Sequence, residues 1–317
     1  MKGQLLRLAA AGACLGLLAG CVPSLGEYPR QEKTPPAFAP QALTIDLPQG
    51  ADQLTQDAAA QLGAALLELS GGAVTLEVIL SGSPASALLH GATHMAVLEN
   101  RDLIAAEPGL AVLDRPFAAE SPEAYLTVMA AEKGPVRGNA ALREALGGKV
   151  IGGWYGGRVS LLCRGSFYEE ICFSGSSLGV LEGWEGSDYY LSLGESLGPK
   201  TIFTGDGEEL LFLLEQRSVK YLEYPLWKLE PEEMPGALKY VEDTGHRIRG
   251  MWLVLGEGAV DPATEELIRA AAAYLPQGAM EARMAAEATA LEALEEKDIT
   301  VRKGSYSALF RAKPSAE

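Results

Sequence analysis

The chain has 317 residues, 48% of them hydrophobic and 21% charged, with 42 acidic against 26 basic side chains. Its formal charge of −16 repels phosphate backbones and anionic headgroups, which excludes nucleic acid as a partner. The same field repels anionic solutes, so any anion site needs a cation of its own.

Lys2 and Arg7 form a short basic region ahead of an apolar run, Leu8 to Leu18, that is too short to span a bilayer. The run ends in Leu18-Ala19-Gly20-Cys21, which is similar to the bacterial lipoprotein cleavage box. That similarity implies a signal peptide over 1–20 and lipidation of Cys21. The mature chain would then be anchored to the extracytoplasmic face of the bacterial cell membrane. Loss of Lys2 and Arg7 takes the bases from 26 to 24 against 42 acids, a formal charge of −18. Residues 21–41, with five prolines, read as an extended tether.

From Ala42 the pattern alternates between strand and helix. "ALTIDLP" (42–48) reads as a strand, 53–69 as a helix stopped by Gly71-Gly72, and "VTLEVIL" (74–80) as a strand. Ser83-Pro84 opens a short helix, "HMAVL" (94–98) is a strand, Ser121-Pro122 opens a helix, and "KVIGGW" (149–154) is a strand. A second series follows: "EEICFSG" as strand, 188–197 as helix, "KTIFT" as strand, 206–217 as helix and "VKYLEY" as strand. "GMWLVLG" (250–256) returns to the first series, Asp261-Pro262 caps a helix, and 277–297 is a longer helix. No internal repeat is visible.

This order predicts an α/β fold of two lobes, each a mainly parallel sheet flanked by helices, with crossing strands and a long C-terminal helix. The expected boundaries are 42–157 plus 250–302 for the first lobe, 158–249 for the second, and a tail over 303–317.

Several motifs carry little chemistry. Cys163 and Cys172 flank "RGSFYEEI" and form a candidate disulfide outside the cytoplasm, the alternative being two buried thiols. His90 and His94 have helical metal-ligand spacing, but Gly91 breaks the helix, and nothing implies a metal or cofactor. "GSSLG" (175–179) matches a nucleophile elbow at Ser177, yet glycines at 183 and 186 follow where a helix is required. "GESLGPKT" (194–201) is one residue short of a phosphate loop, and Pro199 removes a backbone donor.

"GGWYGGRVSLLC" (152–163) is the more informative stretch. Two glycines admit a close approach of the backbone to Arg158, whose guanidinium is a rigid fork matched to a carboxylate. Trp154 and Tyr155 offer aromatic walls. Arg158 is expected to face a cleft and to await an anion.

With these pieces in place, the chain resembles the extracytoplasmic solute receptors of TRAP transporters, the C4-dicarboxylate-binding type, over roughly 42–302. The resemblance rests on "LLHGATHMAVL" (88–98), "GLAVLDRPFAAESPEAY" (109–125) and "KYVEDTGHRIRGMWLVLG" (239–256). It implies two lobes closing on a small organic acid, no enzymatic step, and integral membrane permease subunits as partners. Arg158 matches the family arginine that holds a ligand carboxylate; Glu99 and His246 join the expected ligand-binding set. A second family arginine is replaced in "VLEGWEGS" (180–187) by Glu182 or its neighbour, and a family asparagine in "KYLEYP" by Tyr224. A lost cation and a gained acid argue against a plain dicarboxylate. They favour one acid group with an amine or hydroxyls, walled by Trp184 and Tyr224. Two other readings stay open: a receptor-fold lipoprotein that acts as sensor or scaffold, and an exported serine hydrolase built on Ser177.

Overall fold

The computed structural model describes residues 38–116, 119, 121–129, 131–165, 173–182, 187–194 and 198–303. Its strands are β1 (Gln41–Pro48), β2 (Val74–Ser81), β3 (Met95–Glu99), β4 (Gly148–Cys163), β5 (Ser177–Leu181), β6 (Thr201–Gly205), β7 (Tyr221–Pro225), β8 (Tyr240–Gly256) and β9 (Thr300–Lys303). Its helices are α1 (Gln53–Leu69), α2 (Pro84–Leu89), α3 (Asn100–Ala106), α4 (Pro122–Met129), α5 (Ala140–Leu146), α6 (Ser187–Ser192), α7 (Gly207–Glu215), α8 (Pro262–Ala272) and α9 (Leu275–Glu295).

One sheet runs β2-β1-β3-β8-β4-β7-β5-β6, with β9 beside β8. The outer strands pair in parallel, as βαβ crossovers require, while β3-β8, β8-β4 and β4-β7 are antiparallel. Strands β4 and β8 are long enough to serve both halves of the sheet. Their early and late segments, respectively, pair within the β2-β1-β3 half, and the remainder lies beside β7, β5 and β6. The expected architecture is therefore present with one change. The segments 149–154 and 250–256, read as short strands, extend to Cys163 and begin at Tyr240, so that the two series share a single sheet.

Each half carries apolar packing on both faces. In the first half, Leu43, Ile45, Met251 and Leu253 pack under Leu62, Leu66 and Ile268, while Leu98, Trp252 and Val254 pack against Leu103, Tyr125 and Leu142. In the second, Leu162, Leu222 and Val241 meet Leu210 and Leu214, and Leu161, Leu178, Tyr221 and Tyr240 meet Tyr190. Helix α9 belongs to both, with Leu275 in the first half's core and Leu291 and Leu294 in the second's. It straps one face of the crossing. Local signals set the helix starts: Asp52, Asn139, Asp206 and Asp261 each accept from a first-turn backbone N–H.

The crossing strands are irregular where charge must be aimed. Register shifts fall between Tyr155 and Gly157 and between Val159 and Leu161 of β4; at the second, β8 bulges over Asp243–His246. Gly157 holds a φ of +133°, and a Cβ there would lie 2.4 Å from Trp227 Cε3 and 3.0 Å from Glu287 Oε1. Gly157→Ala is accordingly expected to cost about 2–4 kcal/mol in urea unfolding. Gly50→Ala, with nothing within 4 Å, should stay within about 0.5 kcal/mol of the parent.

Candidate functional site

The seam between the two halves is built from charge. Four buried or half-buried guanidiniums, Arg158, Arg247, Arg249 and Arg283, lie along β4, β8 and α9, and carboxylates of the chain meet each of them.

On the α9 face, the β8 bulge turns Asp243 toward Arg158. The carboxylate takes a two-point fork, Nε to Oδ1 at 3.0 Å and Nη2 to Oδ2 at 2.9 Å, and Ser160 Oγ also donates to Oδ1. Glu287 of α9 accepts from the Arg158 backbone N–H at 2.9 Å and from Tyr155 Oη at 2.8 Å. Burial pushes the Glu287 carboxyl above its ordinary range, against the pull of Arg158. Further along this face Arg249 donates to Asp52 at 3.0 Å and to Glu99 at 2.5 Å, and its guanidinium lies 4.9 Å from the Trp227 ring centroid. Arg283 donates to the other oxygen of Asp52 at 2.5 Å. Burial raises the Asp52 and Glu99 carboxyls, but the arginines beside them outweigh it and hold both below the usual range.

On the opposite face the same bulge turns His246 inward. Its Nε2 lies 2.7 Å from Glu223 Oε1, and Thr244 Oγ1 lies 2.5 Å from Nδ1. Tyr190 Oη donates to the same Glu223 oxygen at 2.6 Å, and Arg247 Nε lies 3.1 Å from it. The side chains of Tyr190, Glu223, His246 and Arg247 are essentially inaccessible. Burial raises the Glu223 carboxyl, yet the Arg247 charge and the bonds from His246 and Tyr190 prevail and hold it at about 2. From the first half, the Asp114 carboxylate adds to the field on Arg247. Asn100 Nδ2 donates to Asp114 Oδ1 at 3.3 Å and to the carbonyls of Leu113 and Ile248, while its Oδ1 accepts from Tyr125 Oη and Trp252 Nε1. Polar groups thus flank the crossing on this face from Trp252 and Asn100 in the first half to Glu223 and Tyr190 in the second. The gap beside it, lined by Leu113, Arg115, Tyr125, His246 and Ile248, holds no water-sized space.

The sequence-derived set divides over this geometry. Glu99 and His246 stand at the seam. Arg158 has its charge met by Asp243 and Glu287 against α9. Trp154 is core, packed with α1 and α8, and Tyr155 spends its hydroxyl on Glu287. Tyr224 is buried in the second half's core with its hydroxyl donating to the Lys228 carbonyl, so it does not wall the seam. Glu182 is exposed just after β5. Trp184, Cys172 and Cys21 lie outside the described residues. Cys163 is a free thiol rather than half of a disulfide; it is fully buried among Phe173, Tyr221 and Tyr240, and burial raises its titration point. Ser177 opens strand β5, with its Oγ accepting from the Lys220 N–H, so the strand-turn-helix of a nucleophile elbow is not formed. His90 bonds back to Ser86 and His94 to Thr44 across β1, so the pair does not converge.

Sequence reasoning missed Arg247, Arg249, Glu223, Asp114 and Asp52. One signal was present: "HRIRG" puts two arginines two residues apart on a strand otherwise reading as buried. A cavity of about 250 Å³ lined by Arg137, Arg143, Lys149 and Arg269 lies near α5 and α8, where Glu257 and Glu265 partner three of those cations.

No family model matches the chain, and no curated protein matches it. Solved structures do. A TRAP periplasmic solute-binding protein from Ochrobactrum anthropi, with its C-terminus bound in its ligand-binding pocket, superposes with a TM-score of 0.70 at 17% identity, covering 84% of each chain. The fold is that of the TRAP periplasmic solute-binding proteins. The sugar-acid-binding protein of Advenella mimigardefordensis, in complex with galactonate, gives 0.62 at 19% identity over 84% of this chain and 88% of that one. A Roseobacter denitrificans counterpart with bound 3-deoxy-D-manno-oct-2-ulosonic acid gives 0.64 at 19% identity over 85% and 90%. Among the described residues no helix is long and apolar enough to cross a membrane.

The Glu223 cluster makes a pH prediction. A carboxyl held near 2 against an ordinary 4.5 stabilises the fold above pH 4.5, and that contribution is lost as pH falls toward 2. Urea unfolding should show the wild type losing stability across this window, and Glu223→Gln, which cannot titrate there, losing distinctly less.

Proposed function

We propose that the chain is an extracytoplasmic solute receptor. It captures a small organic acid between the two halves of its sheet and delivers it to the integral membrane permease subunits of a TRAP-type transporter. The halves act as lobes, 42–157 with 250–302 and 158–249, joined through β4 and β8. A lipid on Cys21 and the proline-rich tether keep the receptor beside its permease, where effective concentration replaces affinity. The observation that carries the reading is the seam: two halves, each with its own core, meet across buried charged groups instead of apolar side chains. An ionic seam can open to water at modest cost and close again, as a hinged receptor must.

The bound galactonate and 3-deoxy-D-manno-oct-2-ulosonic acid of two proteins with this fold support an acid carrying hydroxyls. The local charge agrees. The seam is rich in carboxylates, so a second acid group on the solute would meet repulsion, whereas hydroxyls or an amine would find acceptors in Glu99, Asp52 and Asp114. The solute class is thus a monocarboxylate bearing hydroxyl or amine groups.

A thermal-shift screen of mono- and dicarboxylates, amino acids, acidic sugars and neutral sugars tests this. A true ligand at a hundredfold excess over its Kd should stabilise by about 2.7 kcal/mol. Hydroxy- or amino-monocarboxylates are expected to give the shifts and plain dicarboxylates none. A response confined to neutral sugars would overturn the acid assignment, and no response at all would overturn the receptor.

A further inference from the structure

Of the guanidiniums along the crossing, Arg158 and Arg249 have well-distributed counter-ions. Asp243 forks Arg158 through both oxygens, and Arg249 divides its donors between Asp52 and Glu99. The Glu223 cluster is built differently. Hydrogen bonds from two separate positions, Tyr190 Oη and His246 Nε2, converge on the one oxygen Oε1, and the Arg247 charge stands beside it with Nε 3.1 Å away. The other oxygen, Oε2, is buried with no hydrogen-bond partner. A carboxylate serving only as a structural counter-ion gains most by engaging both oxygens, and a buried unpaired oxygen costs free energy. Glu223 is therefore a full charge held in a cradle that uses half of its capacity.

The cradle also lies where a captured solute would have to sit. His246 and Arg247 come from the β8 bulge at the seam, Tyr190 comes from α6 of the second half, and Asp114 acts on Arg247 from the first half. We propose that Arg247, with His246 and Tyr190, is the seat for the solute's carboxylate, and that Glu223 is a built-in placeholder that the solute displaces. The proposal rests on the receptor reading and adds to it the residue that takes the acid group. No covalent step is involved. When the halves part, water reaches Glu223, its carboxylate swings out to solvent, and the incoming carboxylate accepts from the same donors. Without solute, Glu223 spares Arg247 the penalty of a buried unpaired charge.

The seat can be tested with formate and acetate on the full chain, so the outcome does not depend on whether a solute is found. Melting is followed for wild type, Glu223→Ala, Glu223→Gln and the charge-free pair Glu223→Gln/Arg247→Met, in formate or acetate against chloride at equal ionic strength. With Glu223 removed, formate should raise the melting temperature of the Ala and Gln variants well beyond chloride, half-saturating at least tenfold lower than in wild type. The double variant should lose the response. Equal effects of formate and chloride on both single variants would overturn the proposal. So would a formate response that survives in the double variant, or single variants that stay unfolded even in formate. A receptor that binds acids in the screen but fails here keeps its function and loses this seat. A protein that passes here while its screen response is confined to solutes outside the proposed class has the seat without that solute class.

Discussion

A guanidinium cannot shed its charge, and the crossing of β4 and β8 buries three of them, with a fourth on α9. That constraint organises the middle of the molecule. Wherever the sheet places Arg158, Arg247, Arg249 or Arg283, the chain must supply a carboxylate from another element, and it draws these from α9, β7, the turn before α1, the end of β3 and the β8 bulge. Apolar clusters hold each half together, while Arg249 with Asp52 and Glu99, and Arg158 with Glu287, carry charge from one half to the other. Apolar packing is non-directional and costly to undo, whereas a charged seam is specific in register and compatible with water once open.

Much of the architecture was legible in the sequence because periodicity and caps are local. Helix 53–69 was read to the residue from its apolar spacing and from Gly71-Gly72 beyond it. Asp261-Pro262 marked α8, and the order of strands and helices gave the crossover topology. The length of β4 and β8 was not legible: the strand reading stopped at Trp154 before Gly156-Gly157, and the returning strand was read only from Gly250. Gly153, Gly156 and Gly157 lie within β4, where Trp252, Met251 and Trp227 respectively crowd against them and leave no room for a Cβ.

The site was less legible, for the same physical reason. Arg158 was singled out correctly as a half-buried arginine beside glycines, but its partner is set by a bulge eighty-five residues away in sequence that turns Asp243 to it. Nothing local in "GGRVS" records that bulge. The aromatic walls proposed from Trp154, Tyr155 and Tyr224 fail likewise, because strand register and not composition decides which face a side chain takes. Glu99 and His246 were placed at the seam by a resemblance to proteins of the same fold. Arg247, on the same short run as His246, escaped because a buried arginine reads as a surface residue until its carboxylate is known.

The claim at the centre is that buried charge at the crossing ties the two halves in the unliganded protein, with Arg249 donating to Asp52 and Glu99 of the first half. Small-angle X-ray scattering of the full chain and of Arg249→Met, with circular dichroism to confirm that both remain folded, measures this directly. The account predicts a compact wild type without solute and a larger radius of gyration in the variant as the halves part. Equal radii for two folded proteins would contradict it.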